Sequence, residues 1–395
     1  MSATLSIVGG GMVGASLALA LQNCAREAGW RIRLIEARPP VKEGWQPSYD
    51  ARSTALSHGS RHLYERLGLW TELSRRAEPI RQIHVSDRGH PGSTRIDAKR
   101  EGVPALGYVV ENAWLGDVLI GALDHEVVEW IAPAQVIKAV PRPGGYRIEL
   151  QSAQGDQTLD TNLLVIADGG RSSLLGQLGI HRKISPYHQV AIIANVTSAA
   201  GHDFVAYERF TESGPLALLP LSGRRSALVW TVPENQAAEI IALPDAAFLK
   251  RLQAAFGFRM GALQKVGERF SYPLNLIEAQ EQLRANLVVL GNAAHSLHPI
   301  AGQGFNLSLR DTLALAHTLI DGFEEGRQLG DLTVLQNYLE RQRADQLLTV
   351  TFSDRLTRLF SNQQPLLALG RNLGLLGLDI VPSAKRLFAR QAMGL

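Results

Sequence analysis

Residues 5–8 form a short apolar run that breaks at Gly9-Gly10-Gly11, and Met12–Ala28 then reads as a helix rich in Ala and Leu. Arg31–Ile35 alternates charged and apolar residues, the period-two signature of a strand, and it ends on Glu36. Strand, glycine turn, helix and strand in that order make a βαβ unit, which belongs in a parallel sheet. Pro39-Pro40 marks the exit into a loop. Helical periodicity follows at 61–76, then a strand at Tyr108-Val109-Val110 that leads into a helix. Strands are expected at 127–131, 146–151 and 159–166, with Pro143-Gly144-Gly145 as a turn.

The pattern changes after Gly179. Runs at 189–196, 204–210, 216–220 and 226–232 alternate as an antiparallel sheet does, and 248–256 is a helical interruption. Residues 287–290 return to a buried-strand pattern, a glycine-punctuated loop follows, and a helix is expected from about Asn306 to Gly322. From Gly330 the chain reads as helical.

Composition narrows the class of protein. With 45% hydrophobic and 19% charged residues the chain can bury a sizeable core. A formal charge of only +3, without a dense Lys/Arg block, gives no footprint for nucleic acid. The single cysteine, Cys24, excludes an internal disulfide framework and a cysteine-based metal cage, so no metal site is expected and a reducing, cytoplasmic setting is. The apolar start lacks a positive n-region and its glycines have a better use, so no secretory signal is read there. No stretch reaches the ~18 uninterrupted apolar residues of a spanning helix.

Three motifs carry chemistry. The first is Gly9-x-Gly11-x-x-Gly14, set between a strand and a helix. Its first glycine allows the tight turn, its second lets backbone approach a pyrophosphate, and its third lets helix and strand pack closely. Free amides at the helix start favour the phosphate charge, and Glu36 is placed to accept from a ribose diol. The second motif is Val165-Ile166-Ala167-Asp168-Gly169-x-x-Ser172, an Asp-Gly pair at the carboxyl end of a strand, where ligands of open α/β sheets sit. The third is Gly291-Asn292-Ala293-Ala294-His295-x-x-x-Pro299-x-x-Gly302-Gln303-Gly304-x-Asn306-x-x-x-x-Asp311. Its glycines allow close backbone approach to a flat ligand, and the helix that follows offers its positive end.

Together these motifs resemble the class A flavoprotein monooxygenases, the group that contains p-hydroxybenzoate hydroxylase, over nearly the whole chain. The resemblance implies an α/β fold with α+β elements: a Rossmann-like FAD-binding domain with an antiparallel-sheet substrate domain. It implies FAD on Gly9, Gly11, Gly14 and Glu36 through its ADP part, with Asp168-Gly169 serving both FAD and the pyridine nucleotide. Gly291, Asn292, Gly302, Gln303, Gly304 and Asn306 match the segment that holds ribitol and the isoalloxazine ring. Arg52 matches an arginine beside the flavin, a surface charge being the alternative. The division expected is 1–179 for the first part of the FAD-binding domain, with 77–105 open to joining the substrate lobe. The substrate domain is expected at 180–272, the second FAD-binding part at 273–340, and a C-terminal helical segment at 341–395.

The closer resemblance is to the ubiquinone-biosynthesis hydroxylases. It rests on Gly107-Tyr108-Val109-Val110-Glu111-Asn112, Gly214-Pro215-Leu216-Ala217-Leu218-Leu219-Pro220 and the run from His298 to Leu307. Within that family His84-Val85-Ser86-Asp87-Arg88-Gly89-His90 is similar to the 2-octaprenyl-6-methoxyphenol hydroxylases. Asn292 stands where the wider family has Asp, a change these enzymes share. Leu175 replaces an arginine that often closes the Asp-Gly motif, so nucleotide contacts carried by that arginine do not transfer. The resemblance implies that NADPH or NADH reduces FAD and that O2 then supplies one oxygen atom to the electron-rich ring of a prenylated phenol. With one GxGxxG present, the reductant is expected near Asp168-Gly169.

Several readings stay open. His295 and His298, beside Pro299 in the flavin loop, either handle protons or pack the loop. Leu216, Leu218, Leu219, Leu228, Val229 and Trp230 line a cavity or form sheet core. Residues 366–380, nearly all apolar or glycine and followed by Lys385, Arg386 and Arg390, either meet the membrane's inner face or pack as a helix on the body of the chain or on a partner. A ubiquinone-synthesis assembly or a homo-oligomer is implied by resemblance alone. A hydroxylase of a soluble aromatic acid would use a cation such as Arg209, Arg224 or Arg225. A halogenase lacks its Trp-x-Trp-x-Ile-Pro segment, and a non-catalytic binding relative would have no reason to keep the Gly302-Gln303-Gly304 loop.

Overall fold

In a computed structural model, residues 3–38, 52–153 and 155–360 are described, with short pieces at 385–386, 389–390 and 393–394. The segment 366–380 therefore lies outside the described residues. Two sheets organise the chain. The first has six strands, in the order Leu283–Arg284, Leu287–Val289, Leu163–Ile166, Thr4–Val8, Arg31–Ile35 and Val128–Ile131, parallel except at the Leu283–Arg284 edge. Leu163–Ile166 and Leu287–Val289 are buried along their whole length, as strands covered on both faces must be.

Register explains how distant motifs meet. Val8 lies beside Ile166, and Ile166 beside Val289, so the three motifs leave the carboxyl ends of three adjacent strands. On the other flank Ile35 pairs with Val8 and hands the chain to Glu36. Helix Met12–Ala28 packs on helix Gln303–Glu324 and ends at Gly29, whose φ of 65° supplies the left-handed cap.

The second sheet is antiparallel for the most part and has nine strands. Arg182–Ser198 lies between Phe270–Ala279 and Arg225–Pro233, followed by Gly214–Pro220 and Val205–Thr211. Gln82–Asp87 joins Val205–Thr211 in parallel and carries Ser93–Asp97 at the edge. One face of this sheet packs on helices Glu234–Ala242 and Asp245–Phe256, through Leu216, Leu218, Trp230 and Val232 against Phe248 and Leu252. The other face looks toward the first sheet's carboxyl ends.

Local differences from the sequence pattern have physical causes. The helical stretch at 61–76 is instead His58–Arg66, Trp70–Leu73 and a 3-10 turn at Ser74–Arg76, because Gly68 takes a φ of 73° and ends the first helix. The strand expected at 159–166 is two strands, Gly155–Thr161 and Leu163–Ile166, in different sheets. Asn162 sits at the break and accepts from the Thr4 amide at 2.9 Å, which anchors the second strand beside the first. Ala134–Arg142, flanked by Pro133 and holding Pro141, is a strand the proline signals concealed.

Candidate active site

The carboxyl ends of the first sheet and the free face of the second enclose one cavity of about 1840 Å3. A drug-sized ligand pocket is roughly 300–1,000 Å3, so this volume admits a dinucleotide and a second molecule together.

At one end lies the glycine turn. Gly9 has a φ of 107°, and a Cβ there would stand 2.5 Å from the Ala167 carbonyl oxygen. A Cβ on Gly14 would stand 1.9 Å from the Gly9 oxygen, so helix and turn touch through bare backbone. Gly11 differs: a Cβ there meets nothing within 4 Å, and the residue lines the cavity. Two glycines thus allow packing, and the third leaves room for a ligand against backbone. Gly11 caps helix Met12–Ala28 without a side-chain hydrogen bond, and the helix has no acid in its first turn. Its first amides are therefore open to an anion.

The Glu36 carboxylate accepts from the Gly10 amide at 2.8 Å and the Arg38 amide at 2.7 Å. A carboxylate has about four acceptor sites, so capacity remains for a diol on the cavity side. Asp168 accepts from the amides of Gly170 at 2.8 Å and Ser172 at 3.0 Å, bending the loop through Gly169 and Gly170, both at φ 72°. Arg52 lines the cavity and is exposed.

The third motif forms the opposite rim. Helix Gln303–Glu324 starts three residues earlier than its periodicity indicated, at Gly302 with φ 62°, and again no side chain caps it. Pro299, Gly302, Gln303 and Gly304 all line the cavity. A Cβ on Gly304 would meet only Leu297, at 4.0 Å. Asn292 lines the cavity too, while Gly291, at φ 66°, turns the chain behind it against Val13. Asn306 is fully engaged: its oxygen accepts from the Ser57 amide and Ser60 Oγ, and its nitrogen donates to the Ala55 and Gly302 carbonyls. It bolts the loop to strand Ser53–Ser57 rather than offering a free amide.

His295 and His298 stand behind the wall rather than in it. His295 is buried, with Nε2 at 2.7 Å from Asp311, which also accepts from Gln346 at 3.1 Å. His298 is fully buried beside the Tyr187 ring, and burial lowers its pKa to about 4. Neither residue is among those lining the cavity, so the geometry favours loop packing over proton handling for both.

The sheet wall was hardly visible in the sequence. Along Val205–Thr211, Ala206, Glu208 and Phe210 face the cavity, while Tyr207 packs on the helix-covered side. Leu219 and Val229 face it from neighbouring strands, whereas Leu216, Leu218 and Trp230 belong to the core. Leu228 contributes to both. Glu208 is the carboxyl on this face, and burial raises its pKa to about 8. The available signal was a charged residue at the inward phase of a strand whose i±2 neighbours are apolar. None of Arg209, Arg224 and Arg225 lines the cavity. Arg225 instead pairs with Glu111 at 3.1 Å, and Arg224 donates to the Ala199 carbonyl.

The residues present fit FAD: two uncapped helix starts, an open Gly11 and a long cavity between them. Comparison with known proteins agrees. A family model described as an FAD binding domain matches residues 2–346. The ubiquinone hydroxylase UbiL of Rhodospirillum rubrum is 36% identical, over 99% of this chain and 90% of that protein. The 3-demethoxyubiquinol 3-hydroxylase of Escherichia coli is 30% identical, over 99% and 98%. Among solved structures, p-nitrophenol 4-monooxygenase PnpA from Pseudomonas putida shares the fold, with a TM-score of 0.80 at 18% identity over 99% and 98% of the two chains.

Proposed function

Because the chain belongs to the FAD-binding-domain family and to its ubiquinone-biosynthesis branch of FAD-dependent monooxygenases, we propose that it hydroxylates a 2-polyprenyl-6-methoxyphenol. NADPH or NADH is the reductant, and bound FAD supplies the redox and oxygen chemistry that side chains lack. Gly9, Gly11 and Gly14 shape the turn for the pyrophosphate, and Glu36 accepts from the ribose. Asp168-Gly169 and Asn292 flank the ribitol, and the amides that follow Gly302 face the ring. Arg52 stands beside it. The reductant approaches by the Asp168-Gly169 loop.

One observation carries the substrate class. Apart from Glu208, Tyr272 and Thr94, the sheet face of the cavity presents apolar side chains, and it presents no Arg, Lys or His. A soluble aromatic acid would leave its carboxylate without a cation there, at a cost of several kcal/mol. A neutral phenol with an apolar tail meets no such penalty. The tail has a route as well. Leu348, Phe352, Leu356 and Leu359 form a stripe along helix Leu332–Phe360. The last three line the cavity, while Leu348 and its neighbour Leu347 are 54% and 67% exposed. This stripe supports peripheral contact with a lipid surface, from which a prenyl chain enters. No helix among the described residues is long and apolar enough to cross a membrane.

The test follows NADPH oxidation by the flavin-loaded protein, with a short-tailed 2-prenyl-6-methoxyphenol and separately with 4-hydroxybenzoate. Stimulation by the first alone, with a product one oxygen heavier, is the expected result. Stimulation by the acid alone would replace this substrate with a soluble one.

A further inference from the structure

The mechanism above uses no group of the sheet wall, although that wall holds a carboxyl in an apolar setting. Glu208 pairs in register with Val85 on one side and Ala217 on the other. Its i±2 neighbours on the same face are Ala206 and Phe210. Val85 and Phe210 pack directly against Ile300, two residues before Gly302 in the flavin loop. Two residues along a strand span roughly 6.6 Å. The carboxyl therefore lies within about one side-chain length of the place where that wall meets the loop facing the flavin ring.

Nothing neutralises it. Glu208 is half-buried, its accessible part turned to the cavity, and it has no hydrogen-bond or ion-pair partner among the described residues. The cavity-lining positions of Gln82–Asp87, Ser93–Asp97, Gly214–Pro220 and Arg225–Pro233 include no titratable group. Neither do those of helix Leu332–Phe360 or the segment 296–300. Tyr272, on strand Phe270–Ala279, is the other titratable residue on the sheet face. A buried acceptor left unpaired is costly, and the chain keeps one at the reaction end of its cavity.

We propose that Glu208 is a catalytic residue that receives the substrate's phenolic hydroxyl and takes its proton, so that the ring reacts as a phenolate. The O–H bond of the phenol breaks, a new O–H bond forms on a Glu208 carboxyl oxygen, and the electron pair remains on the phenol oxygen. Phenolate oxygen donates more strongly into the ring than the neutral hydroxyl does. Burial supports the role: a carboxyl raised to about 8 is a better base toward a phenol near pKa 10 than an exposed carboxylate near 4. In its ionised form, the form that acts as the base, the same group repels a carboxylate-bearing ring, which gives the site discrimination as well as chemistry.

This inference rests on the phenol reading above, and the test separates the two. Flavin-loaded wild type, Glu208→Gln and Glu208→Leu are titrated with a short-tailed 2-prenyl-6-methoxyphenol and with its methyl ether, which lacks the hydroxyl. Perturbation of the flavin spectrum reports binding. Flavin content matching wild type shows that the variants fold. Wild type is expected to bind the phenol at least about tenfold tighter than the ether, the worth of one good buried hydrogen bond. Glu208→Leu is expected to bind the two alike. The kcat/KM for phenol-stimulated NADPH oxidation should rise with pH through about 8 in wild type and lose that limb in Glu208→Gln. A variant that keeps the discrimination (Leu) or the limb (Gln) overturns the role of Glu208 and leaves the phenol reading intact. Wild type that responds to neither phenol nor ether overturns both.

Discussion

The two ends of the cavity are built by different means. At the glycine end the ligand meets backbone: Gly9 and Gly14 make contacts that a Cβ would obstruct at 2.5 and 1.9 Å, and Gly11 opens on space. At the sheet end the ligand meets side chains, and which side chains depends on strand phase and on neighbours far away in sequence. Glu208 faces the cavity from a strand, Val205–Thr211, that pairs with Gln82–Asp87, more than a hundred residues earlier. A backbone site is fixed by residue type and tolerates no change. A side-chain site is fixed by register and can be retuned one residue at a time.

That contrast is broken most severely at Gly14. Gly14→Val is expected to abolish flavin retention and to leave little folded protein, because the new Cβ stands against the Gly9 backbone carbonyl, with the Ile7 side chain also close. Soluble yield and visible absorbance check it. Gly304→Val should separate binding from folding. Its Cβ fits, meeting only Leu297 at 4.0 Å, so the fold should survive while flavin content falls more than about tenfold, as the branched side chain fills cavity space. A purified yellow variant with normal flavin content would contradict this.

The legibility of the sequence follows the same division. Met12–Ala28 and Arg31–Ile35 appear where their periodicity placed them, and the three glycine-bearing motifs leave adjacent strand ends. Glycines announce themselves because few residues can replace them at positive φ or in close packing. Glu208, by contrast, sits in a strand whose inward phase is set by tertiary pairing, so its one local signal, a charge between apolar i±2 neighbours, does not say which face meets a cavity. Asn306, His295 and His298 share a different reason. They are polar residues in a motif read as ligand-binding, yet Asn306 and His295 spend their side chains on internal hydrogen bonds, and His298 is buried behind the wall beside Tyr187. Composition and spacing do not distinguish a group that faces a cavity from one that braces it.

His298 offers a smaller effect that sharpens the point. Its folded pKa, near 4, lies below the unfolded value near 6.5, so the unfolded chain binds the extra proton first as pH falls. Its contribution is present above about 6.5 and is lost as pH drops toward 4. Thermal unfolding of wild type should show stability falling through that window, and His298→Leu should flatten the fall. A pH limb in turnover near 4 that disappears in this variant would instead return His298 to the chemistry. Asn292→Asp is expected to change least. It keeps an acceptor oxygen at the cavity wall, so flavin affinity should move by less than about tenfold, as dialysis against dilute FAD would report.

The most direct test of the account supplies isotopically heavy O2 to the flavin-loaded protein with NADPH and a short-tailed 2-prenyl-6-methoxyphenol, and reads the product by mass. One heavy oxygen atom in the ring of the prenylated phenol is the expected result. NADPH consumption that ends in peroxide with the phenol unchanged, or a protein that cannot be loaded with FAD, would contradict it.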